Sequence, residues 1–209
     1  MNRFYKFLFI IPLIIIGCKT NDIDDKKVNQ SINSLDMNIY SKQGEKLISI
    51  KSPYSIYEKD KNALYLKQTS IELFKKNKIN YIITSSNSKL SNDNKLIELK
   101  DNVLVKAISP KKDDKLYSDS FTWNIEKSEF LLVGNVKFKN NSISLNSNKA
   151  ILNKNNNIIE FFNPVKYKYY EGTNASEYEV NSQNAYYNIE TKSVIFSSKE
   201  DRVRSKIYF

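Results

Sequence analysis

Residues 117–138, YSDSFTWNIEKSEFLLVGNVKF, decide the fold. Phe121, Trp123 and Ile125 alternate with polar residues, Glu126-Lys127-Ser128 interrupts them with turn chemistry, and Phe130, Leu132, Val136 and Phe138 alternate again around Gly134. Apolar residues at every second position place their side chains on one face of an extended chain. Two such runs joined by a short polar turn read as a hairpin with one buried face. Gly134-Asn135 reads as a bulge or turn rather than a site.

The same unit recurs on both sides. Related stretches begin at Ile48, Ile82, Lys115, Ile143 and Tyr178, and each carries a matched serine: Ser52, Ser85, Ser118, Ser147 and Ser182. Those serines are 33, 33, 29 and 35 residues apart. A second echo accompanies them: Asp101-Asn102-Val103, Gly134-Asn135-Val136 and Asn163-Pro164-Val165. Ile48, Ile50, Ser52, Tyr54 and Ile56 share one face at period two, as do Ile159, Phe161, Val165, Tyr167 and Tyr169. A period of 20–50 residues signals stacked units, none of which can bury its apolar face alone. No amphipathic helix is evident after residue 30; SIELFKKNKI (70–79) is ambiguous. The expected fold is all-β and antiparallel, a sandwich or jellyroll rather than a parallel β-helix, whose tight corners want more than the 4 glycines present.

Composition narrows the function. The chain has 209 residues, 14 Tyr, 11 Phe, no His and one Cys, and a net charge of +10. Without histidine there is no Ser-His-Asp or Cys-His catalysis and no His-ligated metal. One cysteine rules out an internal disulfide and thiolate clusters. Asp24-Asp25 and Asp113-Asp114 lie in polar stretches, and neighbours in a strand point oppositely, so neither is a catalytic dyad. The expectation is no enzyme, no cofactor and no metal. The positive charge admits an anionic partner, but the lysines are dispersed rather than clustered, so nucleic acid is not expected.

The N-terminus supplies an address. Arg3 and Lys6 precede a ten-residue apolar run, Phe7–Ile16, and Gly17-Cys18 is followed at once by polar chain. A membrane span needs roughly 20 apolar residues; 10–14 fit a signal segment. Ile15-Ile16-Gly17-Cys18 resembles a bacterial lipobox, which makes Cys18 the candidate lipidation site; an uncleaved single-pass anchor is the alternative. The expected organisation is a lipoprotein signal peptide or anchor at 1–18, a flexible tether at 19–36 and a β domain at 37–209.

The repeat, best seen over 116–138 with its closing Gly-Asn-Val-x-Phe, resembles that of the OstA-like β-jellyroll family of lipopolysaccharide transport. Short anchor, tether and single repeat domain are similar to its LptC-like members, periplasmic components of the lipopolysaccharide-export ABC transporter. The resemblance spans about residues 37–200. It implies a twisted, V-shaped antiparallel jellyroll that holds the lipid's acyl chains in an apolar groove with its sugars outside. It implies as partners lipopolysaccharide or a related glycolipid, the inner-membrane ABC transporter subunits, and an LptA-like periplasmic jellyroll joined by edge-strand pairing. It implies a location at the periplasmic face of the inner membrane, with the outer membrane left open by the lipobox-like Cys18, since familiar members keep a transmembrane helix instead.

Carrying a lipid requires shielded apolar area, worth roughly 25 cal/mol per Å², and no acid, base or metal. The candidates for the groove lining are Ile50, Tyr54, Ile56, Leu99, Val103, Phe121, Trp123, Phe130, Leu132, Val136, Phe138, Leu145, Ile159 and Phe161. Lysines at the rim are candidates for headgroup phosphates. Segments 193–197 and 203–208 are candidates for one sheet edge and 37–50 for the other. The competing reading is a structural or interaction lipoprotein of the cell envelope, built of the same repeats without cargo.

Overall fold

The structure, a computed structural model, describes residues 29–91, 95–108, 113–153, 157–170, 178–199 and 202–207. Twelve strands follow one another: β1 (Gln30–Tyr40), β2 (Lys46–Glu58), β3 (Ala63–Lys75), β4 (Lys78–Ser91), β5 (Leu96–Ala107), β6 (Lys115–Asn124), β7 (Glu129–Lys139), β8 (Ile143–Asn153), β9 (Ile158–Tyr169), β10 (Tyr178–Asn188), β11 (Val194–Ser197) and β12 (Arg204–Ile207). The only helical turn among the described residues is a 3₁₀ turn at Lys59–Lys61. Each strand from β1 to β11 pairs antiparallel with the next, in one unclosed meander. The stretch at 70–79 is the β3–β4 hairpin. Lys76 and Asn77 both have positive φ, which a two-residue turn needs to match strand twist.

Every long strand bends in the middle, and the repeat serines mark the bend. Ser85, Ser147 and Ser182 Oγ donate to the carbonyl two residues on, at 3.1, 3.0 and 2.9 Å. Ser52 Oγ lies 2.7 Å from the carbonyls of Tyr54 and Lys67 and accepts the Lys67 N–H at 3.2 Å. These hydroxyls replace ladder bonds that the bend interrupts. The second echo faces them across the sheet: Val103, Val136 and Val165 pair with Ser118, Ser147 and Ser182. The ladders of β5, β7 and β9 slip there, because each carries one extra residue. Asp101, Asn102, Gly134 and Asn135 take positive φ to accommodate it, and Gly134-Asn135 is a bulge.

The bend folds the meander onto itself. One arm holds the strand halves ending at turns 41–45, 76–77 and 140–142; the other holds the halves ending at turns 59–62, 125–128 and 189–193. The inner faces of both arms form one apolar cluster, from Ile48 and Ile50 to Ala185 and Tyr187. The expected V-shaped jellyroll is thus a single bent sheet whose arms pack together.

The expected tether at 19–36 is too long at its C-terminal end. Residues 30–36 belong to β1, which pairs with β2 from Gln30↔Tyr57 to Tyr40↔Lys46. Its polar composition disguised it: only Leu35, Met37 and Ile39 turn toward the core. Cys18, the 1–18 segment and residues 19–28 lie outside the described residues. No helix among the described residues is long and apolar enough to cross a membrane.

Candidate functional site

Twelve of the fourteen expected groove residues line the interior between the arms. Ile50, Leu99, Leu132, Leu145 and Phe161 are fully buried, and Val103, Phe121, Trp123, Phe130, Val136, Phe138 and Ile159 are buried at the few-per-cent level. Phe130 links Phe121 and Trp123, with ring centroids 5.6 and 5.2 Å away.

Tyr54 and Ile56 are corrections. Tyr54 is 42% exposed and Ile56 half-buried; both sit on the outer face. In β2 the inward positions are Ile50, Ser52 and then Ser55, since Ser52 and Ser55 are buried and Tyr54 is not. The bend advances the inward face by three residues instead of two. The same step takes Ser85 to Ser88, Ser118 to Phe121, Ser147 to Ala150 and Ser182 to Ala185, all buried or inward-facing. A strict alternation carried across Ser52 therefore assigns Tyr54 and Ile56 to the wrong face.

The tips of the two arms meet at a mouth. Phe138 of one arm lies 4.6 Å, centroid to centroid, from Tyr187 of the other. Asp114 Oδ2 accepts from Lys192 Nζ at 2.9 Å. Backbone hydrogen bonds outside the ladders all stay within one arm among the described residues, so side chains hold the mouth shut. Lys192 also lies over the Tyr187 ring, 5.6 Å from its centroid. Burial pulls the Lys192 pKa down, but its bond to Asp114 and the neighbouring Tyr187 outweigh it, and the net shift is upward. Burial raises the pKa of Tyr187 and, with the Asp114 charge, of Tyr81. Burial also raises that of Tyr167, helped by its bond to Tyr178.

Beside this contact is a cavity of about 530 Å³, lined by Tyr167, Tyr169, Tyr178 and Tyr187, by Ile143, Val194 and Phe196, and by Asp113, Asp114, Asn140, Asn141, Ser142 and Lys192. Reading by periodicity placed Tyr167 and Tyr169 on an inner face but did not bring them to Asp113-Asp114. No spacing in the sequence could, because Asp114 and Lys192 are 78 residues apart.

Among the lysines expected at the rim, Lys192 stands at the mouth, whereas others lie away from it. Lys106, Lys115 and Lys139 stand opposite one another on adjacent strands, on the outer face of one arm, with Lys137, Lys166 and Arg204 nearby and exposed. No cluster of three or more His, Cys, Asp or Glu residues able to hold a metal occurs among the described residues. The sheet edges are β1 at one end and, at the other, β11 and β12, which pair with successive halves of β10. Of the 37–50 stretch, residues 37–40 lie on the β1 edge and 46–50 in β2.

No curated protein matches the chain. Among solved structures it is similar to LptH, the LptA homologous periplasmic component of the conserved lipopolysaccharide transport device from Pseudomonas aeruginosa, at 12% identity and a TM-score of 0.48, covering 61% of this chain and 94% of that one. The family model described as "Lipopolysaccharide-assembly, LptC-related" matches residues 15–166, most of the chain. The chain therefore belongs to the LptC-related family of lipopolysaccharide-assembly proteins.

Proposed function

We propose that this protein is a membrane-tethered periplasmic carrier that accepts lipopolysaccharide from the inner-membrane ABC transporter and passes it to the next jellyroll of a bridge. The observation that carries this reading is the continuous apolar interior between two arms whose tips, among the described residues, are joined by side chains alone. Parting the arms at Asp114–Lys192 and Phe138–Tyr187 opens a slit along the interior without breaking a ladder. Acyl chains then occupy the space between Leu132, Phe161 and their neighbours while the sugars stay outside. Apolar contacts are non-directional, which suits a cargo that must slide. The exposed backbone of β1 and of β11–β12 supplies a strand edge at each end for a neighbouring jellyroll. Cys18 is the proposed attachment point to the membrane.

A photo-crosslinking residue placed at Trp123 or Leu132 is expected to capture lipopolysaccharide in cells, whereas one at Lys139, on the outer face, is not. Capture of protein partners alone at all three positions would favour the structural lipoprotein. The intact mass of the membrane-extracted protein tests the anchor: a chain starting at acylated Cys18 is expected, and a full-length chain would refute it.

A further inference from the structure

The mouth cavity has a chemistry that acyl chains do not use. It is lined by apolar Val194, Phe196 and Ile143 and by polar Asp113, Asn140 and Ser142 together. An alkyl chain seated there would strip water from those polar groups and return no hydrogen bond, which is unfavourable. Phosphate fits no better. The Lys192 ammonium is committed to Asp114, Lys115 is paired with Asp113 at 2.9 Å, and both carboxylates would repel an anion.

Tyr187 gives a second, independent pointer. The residue is fully buried, and its hydroxyl has no hydrogen-bond partner. Lys192 and Asn140 line the same cavity, and neither meets the hydroxyl with hydrogen-bond geometry. A buried hydroxyl without a partner is costly and calls for an explanation. It lines a cavity whose volume falls in the range of small-molecule sites. Next to it, Tyr169 and Tyr178 are stacked at 5.0 Å and Tyr167 meets Phe196 edge-on at 5.2 Å. The result is an aromatic wall beside the polar Asn140–Ser142 turn, with Tyr169 paired to Ile143 on the neighbouring strand.

We propose that this cavity is a saccharide site that takes a neutral hexose ring. The ring's C–H face packs on the Tyr169–Tyr178 wall, and its hydroxyls meet the Tyr187 hydroxyl and the Asp113–Ser142 side. The proposal rests on the carrier reading for the source of the sugar, the headgroup of the transported glycolipid, which docks at the closed mouth before the arms part for the acyl chains. Neutral sugars are selected over phosphorylated ones because both cations at the mouth are already paired.

The test uses the full-length protein and deacylated lipopolysaccharide core oligosaccharide, which has sugars but no acyl chains. Saturation-transfer NMR from the aromatic protons is expected to show binding with a dissociation constant of about 1 mM. Inorganic phosphate should not compete. Tyr187→Phe keeps the ring and removes only a hydroxyl that makes no bond in the free protein, so the variant folds; it should bind roughly threefold to tenfold more weakly, the span of one neutral hydrogen bond. Tyr178→Ala should remove the signal. No transfer to the oligosaccharide, binding unchanged in Tyr187→Phe, or displacement by phosphate would each overturn the site. Capture of intact lipid at Leu132 is scored separately. If it persists while oligosaccharide fails to bind, the sugar site falls and the carrier stands. If the oligosaccharide binds and no lipid is captured, the site stands and its ligand is a free sugar.

Discussion

Gly134 shows how closely the bend is set. Its φ is +79°, and a Cβ built there would fall 2.4 Å from Asp119 Oδ2, the oxygen that accepts from Asn135 Nδ2 at 2.8 Å. Gly134→Ala must therefore adopt an unfavourable backbone region and displace a bonded carboxylate. We expect a loss of about 1–3 kcal/mol, read as a drop of roughly 2–12 °C in Tm for a domain of this size. Leu132 and Tyr54 make a sharper pair, because the sequence assigns both to the interior. Leu132→Ala should cost about 2–5 kcal/mol in urea unfolding, whereas Tyr54→Ala should stay within about 0.5 kcal/mol. Residues far from a bend were legible because alternation alone decides their face. Tyr54 and Ile56 were not, because the two-residue period breaks at Ser52. The signal was present in the five aligned repeats, whose inward residue comes three positions after each serine.

At the scale of elements, each repeat is one hairpin, which explains a spacing near 33 residues: two strands of 10–14 residues and their turns. The serines were visible as a repeat, but their role was not, because a hydroxyl that replaces a ladder bond resembles any other serine in sequence. The five positions are also unequal. Ser147 Oγ donates to the Lys149 carbonyl, while Ser118 Oγ is buried with no partner. Ser147→Ala should destabilise by about 1 kcal/mol. Ser118→Ala should be neutral or slightly stabilising, since it removes an unsatisfied polar group. Equal losses in urea midpoint at the two sites would refute this division. β1 escaped the reading for another reason: QSINSLD is too polar to look like a strand, and pairing with β2 makes it one.

For the whole molecule, the mouth makes stability depend on alkaline pH. Tyr81, Tyr167, Tyr187 and Lys192 all have folded pKa values above their ordinary ones. Unfolded Tyr and Lys lose their protons near pH 10 and 10.4. Groups raised by folding contribute fully below the unfolded pKa, and that contribution is lost as pH rises through the folded value. The chain contains no histidine. We therefore expect urea midpoints, followed by circular dichroism, to be flat between about pH 7 and 9 and to fall above about pH 10. A decline beginning near pH 8 would contradict this. The meeting of Asp114 with Lys192 was beyond sequence reading, since it depends on how far the two arms close.

The bend also reaches the molecule's ends. β1 keeps its register with β2 straight through it, with Ser34 at positive φ, and at the far side the bend falls between β11 and β12. The two free borders are therefore angled templates. A straight strand can dock along one limb of either border and must peel away at the angle. Only a chain that turns at the matching place can follow both limbs, so where a newcomer bends, more than what its side chains are, becomes the password for joining the line.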